Sequence, residues 1–344
     1  MVAAGQGMQV TQPRAVAGPA QRPGGFVSAL LRLTVVGVFL LLPGCGRPEA
    51  PRLRIALNTW PAYELIYLAQ EKGYFRDADV DVRLLEFGSL ADARRAYELG
   101  RADALATTIV EVLMARDDAP RDLRIVRLFD FSSGADMLIA RPETASVADL
   151  RGKRVGVELA SLGIFILARA LEREGLTLAD VHPVSGDQKA LREGLLAQEL
   201  DAVVTYGPDA VAILRAPGFH VVFSSRQIPG EVADVLAIDA EILRQHPAQV
   251  QAFLEGLDRA FAYLRQQPEE ATRIMADREG LSPQEFRELL TEGMTLVAPG
   301  EQAQYLRPGG PLQKTVQDAA RALRDVQLIS SRPEVLDCFH FDDP

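Results

Sequence analysis

The sequence predicts an α/β protein built on mostly parallel sheets, and three observations carry that prediction. Short runs of alternating apolar residues recur along the chain, a segment of helical spacing follows each, and glycine or serine marks the junctions. The chain has 344 residues, 48% hydrophobic and 24% charged. That is the balance of an ordinary globular chain, about two domains long, and it excludes collagen, a wholly disordered chain or a multispanning membrane protein.

Leu53, Ile55 and Leu57 alternate with polar or small residues, the period of a strand packed on one side. Asn58-Thr59-Trp60-Pro61 breaks the strand, and residues 64–71 have helical spacing closed by Gly73. Val80, Val82 and Leu84 alternate again. Gly88-Ser89 then opens a helix that ends at Gly100, with Ser89 as its N-cap. Residues 101–106 lead into the next strand. The stretch 99–106 is echoed at 197–204, where an aspartate and an alanine again follow a helix end and enter an apolar strand. Between them a polar turn at 146–154 feeds the strand Val155-Gly156-Val157. After about residue 240 the strands stop, and amphipathic helices punctuated by proline or glycine take over at 248–267, 268–278, 282–293 and 312–326.

Residues 1–44 contain Arg14, Arg22 and Arg32 and no acidic residue, followed by the apolar run 33–42 and Pro43-Gly44-Cys45. That run is about half of a membrane span, so it predicts an export signal and not a transmembrane helix. Leu42-Pro43-Gly44-Cys45 resembles the bacterial lipobox, which implies cleavage before Cys45 and acylation of its thiol. Residues 45–52, with Pro48 and Pro51, then form a short tether. The formal charge of −10, with 33 of 37 basic residues arginine, argues against nucleic-acid binding.

Several stretches together resemble periplasmic solute-binding proteins of the nitrate/sulfonate/taurine type. They are residues 60–75, Gly100-Arg-Ala-Asp-Ala104, 132–140, 146–157 and the helices from His246 to Phe286. The resemblance implies a type II periplasmic-binding-protein fold of two lobes, with hinge crossovers near 137–140 and 235–238. Lobe 1 would be 53–138 plus 238–330, lobe 2 would be 139–237, and 331–344 a C-terminal tail. It also implies a monomeric, lipid-anchored periplasmic receptor that hands a small-molecule solute to an ABC permease and its ATPase.

Ligands of open α/β sheets bind beyond the carboxyl ends of the strands, so the post-strand loops hold the candidate site. Asn58, Trp60 and Tyr63 follow the first strand; the tryptophan, the only one in the chain, offers a flat wall or a core residue. Ser89 starts a helix and reads as cap, ligand contact or both. Thr107 and Thr108 end a strand and supply hydroxyls. Ser132, Ser133 and Asp136 lie in a loop where Asp136 either braces the backbone or pairs with a cationic amine. Ser161 and Gly163 open the first helix of lobe 2 and make the best anion site in the sequence. Tyr206 either closes over the ligand opposite Trp60 or packs on Pro208. No lysine or arginine sits in these loops. A small organic solute with an apolar part is favoured over an inorganic anion.

No catalytic constellation accompanies these residues. The four histidines are scattered, and neither a Gly-x-Ser-x-Gly elbow nor a phosphate-binding loop is present. Cys338 and His340 are too few for a zinc site, and Cys338 reads as a free thiol at a mobile end. No cofactor and no metal are expected. The alternatives are an enzyme of thiamine-precursor metabolism on the same fold, and a binding partner of a membrane sensor.

Overall fold

The computed structural model describes residues 52–119, 121–330 and 336–340. The expected signal, Cys45 and most of the tether lie outside the described residues. All described residues belong to one unit, 48–344.

Among the described residues, eleven strands form two sheets. They are β1 (Leu53–Asn58), β2 (Val82–Phe87), β3 (Ala104–Thr108), β4 (Leu123–Ser132), β5 (Met137–Ala140), β6 (Arg154–Val157), β7 (His182–Ser185), β8 (Ala202–Thr205), β9 (His220–Ser224), β10 (Ala233–Asp239) and β11 (Met294–Leu296). The first sheet has the order β11-β4-β10-β3-β1-β2 and the second β7-β6-β8-β5-β9. Both repeat one plan. A parallel trio, β2-β1-β3 or β7-β6-β8, forms the α/β core, and an antiparallel strand arriving from the other sheet's segment lies beside it: β10 in the first, β5 in the second.

β1 differs from its sequence pattern in one respect. Alternation predicts one buried face, yet Ala56 and Asn58 are buried with Ile55 and Leu57. As an interior strand covered by helices on both sides, β1 needs its second face to be small or apolar as well. The helices keep the predicted punctuation: Ser89 caps Leu90–Glu98 through the Asp92 amide, and Ser282 with Glu285 forms a capping box on Pro283–Glu292.

The chain passes from the first sheet to the second between β4 and β5, and returns between β9 and β10. Serines tie the two passages together. Ser132 Oγ and Ser225 Oγ lie 2.7 Å apart, the Gly134 amide donates to Ser225 Oγ at 2.7 Å, and the Ser225 amide donates to the Asp136 carbonyl at 2.9 Å. Gly134 has φ of 125°, a conformation that side chains resist.

The C-terminal tail corrects one expectation. Phe339 bridges to Ile125 of β4, the Ile125 amide donates to the Cys338 carbonyl at 2.6 Å, and Cys338 is fully buried. A short apolar tail segment gains more by covering the sheet than by remaining in water. Burial pushes the Cys338 thiol up to about 12, so almost no thiolate forms near neutrality. Iodoacetamide should leave Cys338 unlabelled in the native protein and label it after unfolding, as read by peptide mapping. Rapid native labelling would show that the tail is not docked.

Candidate functional site

The post-strand loops of the two sheets converge on one small cavity. Asn58 ends β1, Trp60 and Tyr63 occupy the loop to the next helix, Leu90 starts a helix after β2, and Thr108 ends β3. From the second segment come Leu162, at the start of helix Leu162–Arg173, and Tyr206, which directly precedes helix Gly207–Leu214. Asp136, from the passage before β5, and Asp234, from β10, complete the lining. The cavity volume is about 10 Å³, room for roughly one water. A solute enters only if the two sides separate.

A buried hydrogen-bond network closes over the cavity. Tyr206 Oη donates to Glu158 at 3.2 Å and accepts from Asn58 Nδ2 at 3.3 Å, which links the two segments. The Trp60 ring stands edge-on to Tyr206, with centroids 6.1 Å apart, and its indole N–H donates to Asp130 at 3.1 Å. Tyr63 donates to Asp234. Thr108 donates to Glu111 Oε2. Glu111 Oε1 in turn accepts from Ser161 Oγ and from the Leu162 amide, both at 2.8 Å. The helix start expected to attract an external anion therefore holds the chain's own carboxylate. Ser161 has a single proton, so its longer 3.4 Å approach to Glu158 is secondary.

The expected site residues divide by position. Asn58, Trp60, Tyr63, Thr108, Asp136 and Tyr206 line the cavity. Ser89 caps the helix that presents Leu90. Thr107 points to the opposite face of β3 from Thr108. Ser132 and Ser133 brace the passage between sheets: Ser132 Oγ accepts from the Asp136 amide at 3.3 Å, and the Ser133 amide donates to the Gly293 carbonyl at 2.8 Å. A Cβ on Gly163 would meet the Glu158 backbone at 3.1 Å, so glycine there lets its helix close on β6. Sequence reasoning missed Asp234, Leu90 and Leu162 in the wall, and Asp130, Glu111 and Glu158 behind it.

Carboxyl groups dominate the electrostatics, and among the described residues no Lys, Arg or His lines the cavity. Burial, reinforced by the Glu111 charge, raises Asp136 and Glu158 each to about 7. Burial also raises Asp130 and Asp234 well above the usual carboxylate range, with charge from neighbouring acids adding to it. These groups hold protons in the folded protein that the unfolded chain releases above about pH 4, so stability falls as pH rises through about 7. The melting temperature of the ligand-free protein should drop between about pH 5 and about pH 8, and Asp136→Asn should flatten part of that drop. Identical slopes for parent and variant would remove Asp136 from the titration.

A larger groove of about 800 Å³ lies elsewhere, where Arg169 and Glu172 meet Lys314, Asp318, Arg321 and Asp325. Apolar side chains and charges of both signs, some paired with one another as Arg169 is with Glu231, wall it together, without the convergent buried polar groups of a solute site.

Two sheets of this order, with a cleft fed by the loops of both, define the periplasmic-binding-protein class of fold. The structure resembles the alkanesulfonate-binding protein SsuA of Xanthomonas axonopodis pv. citri bound to MOPS, with a TM-score of 0.72, 19% identity, and coverage of 85% of this chain and 99% of that one. It also resembles the periplasmic aliphatic sulphonate binding protein SsuA of Escherichia coli, with a TM-score of 0.69, 19% identity, and coverage of 86% and 92%. The chain belongs to the NMT1/THI5-like family, whose model matches residues 60–271. Among curated relatives, a Haemophilus influenzae protein named for thiamine biosynthesis is 25% identical over 246 residues, 69% of this chain and 76% of the relative. The type II fold expected from the sequence is the fold observed, and the family agrees with a nitrate/sulfonate/taurine-type binding protein.

Proposed function

We propose that the protein is a lipid-anchored extracytoplasmic receptor that binds a small polar organic solute in this cleft and delivers it to an ABC permease with its ATPase. The carrying observation is the cavity itself, because residues from both sheet segments meet there and, among the described residues, no disulfide ties the segments together. In this reading lobe 1 is 53–138 plus 238–330 and lobe 2 is 139–237. They part around the two passages tied by Ser132 and Ser225. A solute that touches both lobes binds the closed form better than the open one, and this difference in affinity shifts the equilibrium toward closure. The site residues are those brought to the wall, with Ser89, Ser161 and Glu111 as their supports. The solute classes to test are sulfonates, taurine-like amines and pyrimidine precursors.

A thermal-shift screen of the full chain against these classes, nitrate and flavins tests the reading. A binder raises the melting temperature by mass action, and small-angle scattering should show the particle contract with it. No shift with any class would sink it. For the anchor, Cys45→Ala should move the protein from the membrane fraction to the soluble periplasm, while retention on membranes would favour an uncleaved apolar helix. An enzyme of thiamine-precursor metabolism is the second reading, favoured by the name of the Haemophilus relative. It predicts chemical turnover of a bound pyrimidine, and recovery of that ligand unchanged would exclude it.

A further inference from the structure

We infer that the cleft takes a small organic cation rich in N–H donors, a primary ammonium or amidinium compound, and not a sulfonate. This rests on the receptor reading above. The first ground is the inventory of unmet hydrogen bonds. Asn58 Oδ1, Asp136 Oδ2 and Asp234 Oδ2 all belong to cavity-lining residues at least nine-tenths buried, and none has a hydrogen-bond partner. Asp130 Oδ1, behind the wall, is likewise unpaired. Asn58 Oδ1 can only accept, and the three carboxyl oxygens accept once their groups are ionised. A sulfonate brings only further acceptors, whereas an ammonium brings three donors and an amidinium brings four.

The second ground is charge. Asp136 and Asp234 line the cavity while Asp130, Glu111 and Glu158 stand behind it, and among the described residues no basic side chain lines the cavity to offset them. An anion enclosed there adds to the repulsion, while a cation replaces the protons that burial otherwise draws onto these groups.

The third ground is that the place an anion would occupy is filled. The start of helix Leu162–Arg173 points its Leu162 amide and the Ser161 hydroxyl at Glu111, so the helix dipole and free amide that attract anions are already used. Trp60 and Tyr206 complete the match, because aromatic rings accommodate cations and the apolar body of the ligand alike. A bare metal ion fits less well: among the described residues no group of three or more His, Cys, Asp or Glu is placed to hold one.

The test is a titration of the full chain with benzylammonium and benzamidinium, set against benzenesulfonate, MOPS and calcium chloride alone, at about pH 5 and about pH 8. The cations should bind saturably, at least tenfold tighter at the higher pH because Asp136 and Glu158 must release protons. Asp136→Asn, which keeps the side-chain volume, should weaken them at least tenfold, about 1.4 kcal/mol. If that variant does not fold, the pH dependence of the parent decides, and cation binding indifferent to pH overturns the inference. Saturable binding of a sulfonate alone overturns it and leaves the receptor reading intact. Saturation by calcium alone overturns it in favour of a metal site. Binding of neither organic set overturns the inference, while the receptor reading falls only if the wider thermal-shift screen also finds no binder.

Discussion

Trp60→Ala should lower stability by about 3–5 kcal/mol and weaken solute binding at least tenfold, measured by urea unfolding and calorimetry on one preparation. Trp60 is only 3% exposed although it lies in a loop. Its ring packs edge-on against Tyr206, and among the described residues its N–H is the one hydrogen-bond donor to the Asp130 carboxyl group. Truncation therefore opens a large void and leaves a buried carboxyl group without a partner, two costs that add. Trp60→Phe separates them, because it keeps most of the volume and removes only the donor, and it should cost about 1–3 kcal/mol. A loss below about 1 kcal/mol for the alanine variant would mean that the loop collapses to refill the space. The solute effect would then have to be read separately from stability. The same packing explains why the lone tryptophan could be read from sequence either as wall or as core: it is packed as core while its inner edge faces the cavity.

How much of the site was legible follows from geometry. Loops that leave the carboxyl ends of parallel strands can be found from strand and helix periods alone; Trp60, Tyr63 and Tyr206 lie in such loops, and Asn58 and Thr108 are the last residues of the strands that lead into them. Asp234 could not be found that way. It belongs to β10, which runs antiparallel to β3 with Asp234 opposite Thr108, so the beginning of β10 reaches the same edge as the end of β3. A search confined to strand ends passes over strand beginnings, and β10 itself reads as an ordinary apolar run. Glu111 carried a usable signal. Thr108 and Glu111 have the Thr-x-x-Glu spacing of a capping box, but its reach across to Ser161, fifty positions on, exists only in three dimensions. Glu158 and Asp130 lie within three residues of Ser161 and Ser132, yet nothing local distinguishes a carboxylate turned inward from a solvated one. The two α/β units were legible from their punctuation. The antiparallel strand beside each parallel trio was not, because its pairing comes from the other half of the chain.

Glu111→Ala is the sharpest test of how the site handles charge. Glu111 is fully buried and takes three hydrogen bonds, from Thr108, Ser161 and the Leu162 amide. Alanine leaves the Leu162 amide unpaired at the start of a twelve-residue helix and opens a carboxylate-sized space there. The expected loss is about 3 kcal/mol, read by urea unfolding. The emptied helix start should also gain affinity for small anions, so sulfate or methanesulfonate should restore part of the lost melting temperature in the variant while leaving the parent unchanged. Loss of the Glu111 charge also removes a cause of the raised Asp136 and Glu158 values, so the fall in stability with pH should move to lower pH. Glu111→Gln keeps an oxygen for the Leu162 amide and should lose less than the alanine variant while gaining little response to sulfate. A variant as stable as the parent and indifferent to sulfate would show that Glu111 does not close the anion seat. With the seat closed as observed, the anion preference suggested by a serine and glycine at a helix start is cancelled by a carboxylate from the other side of the cleft.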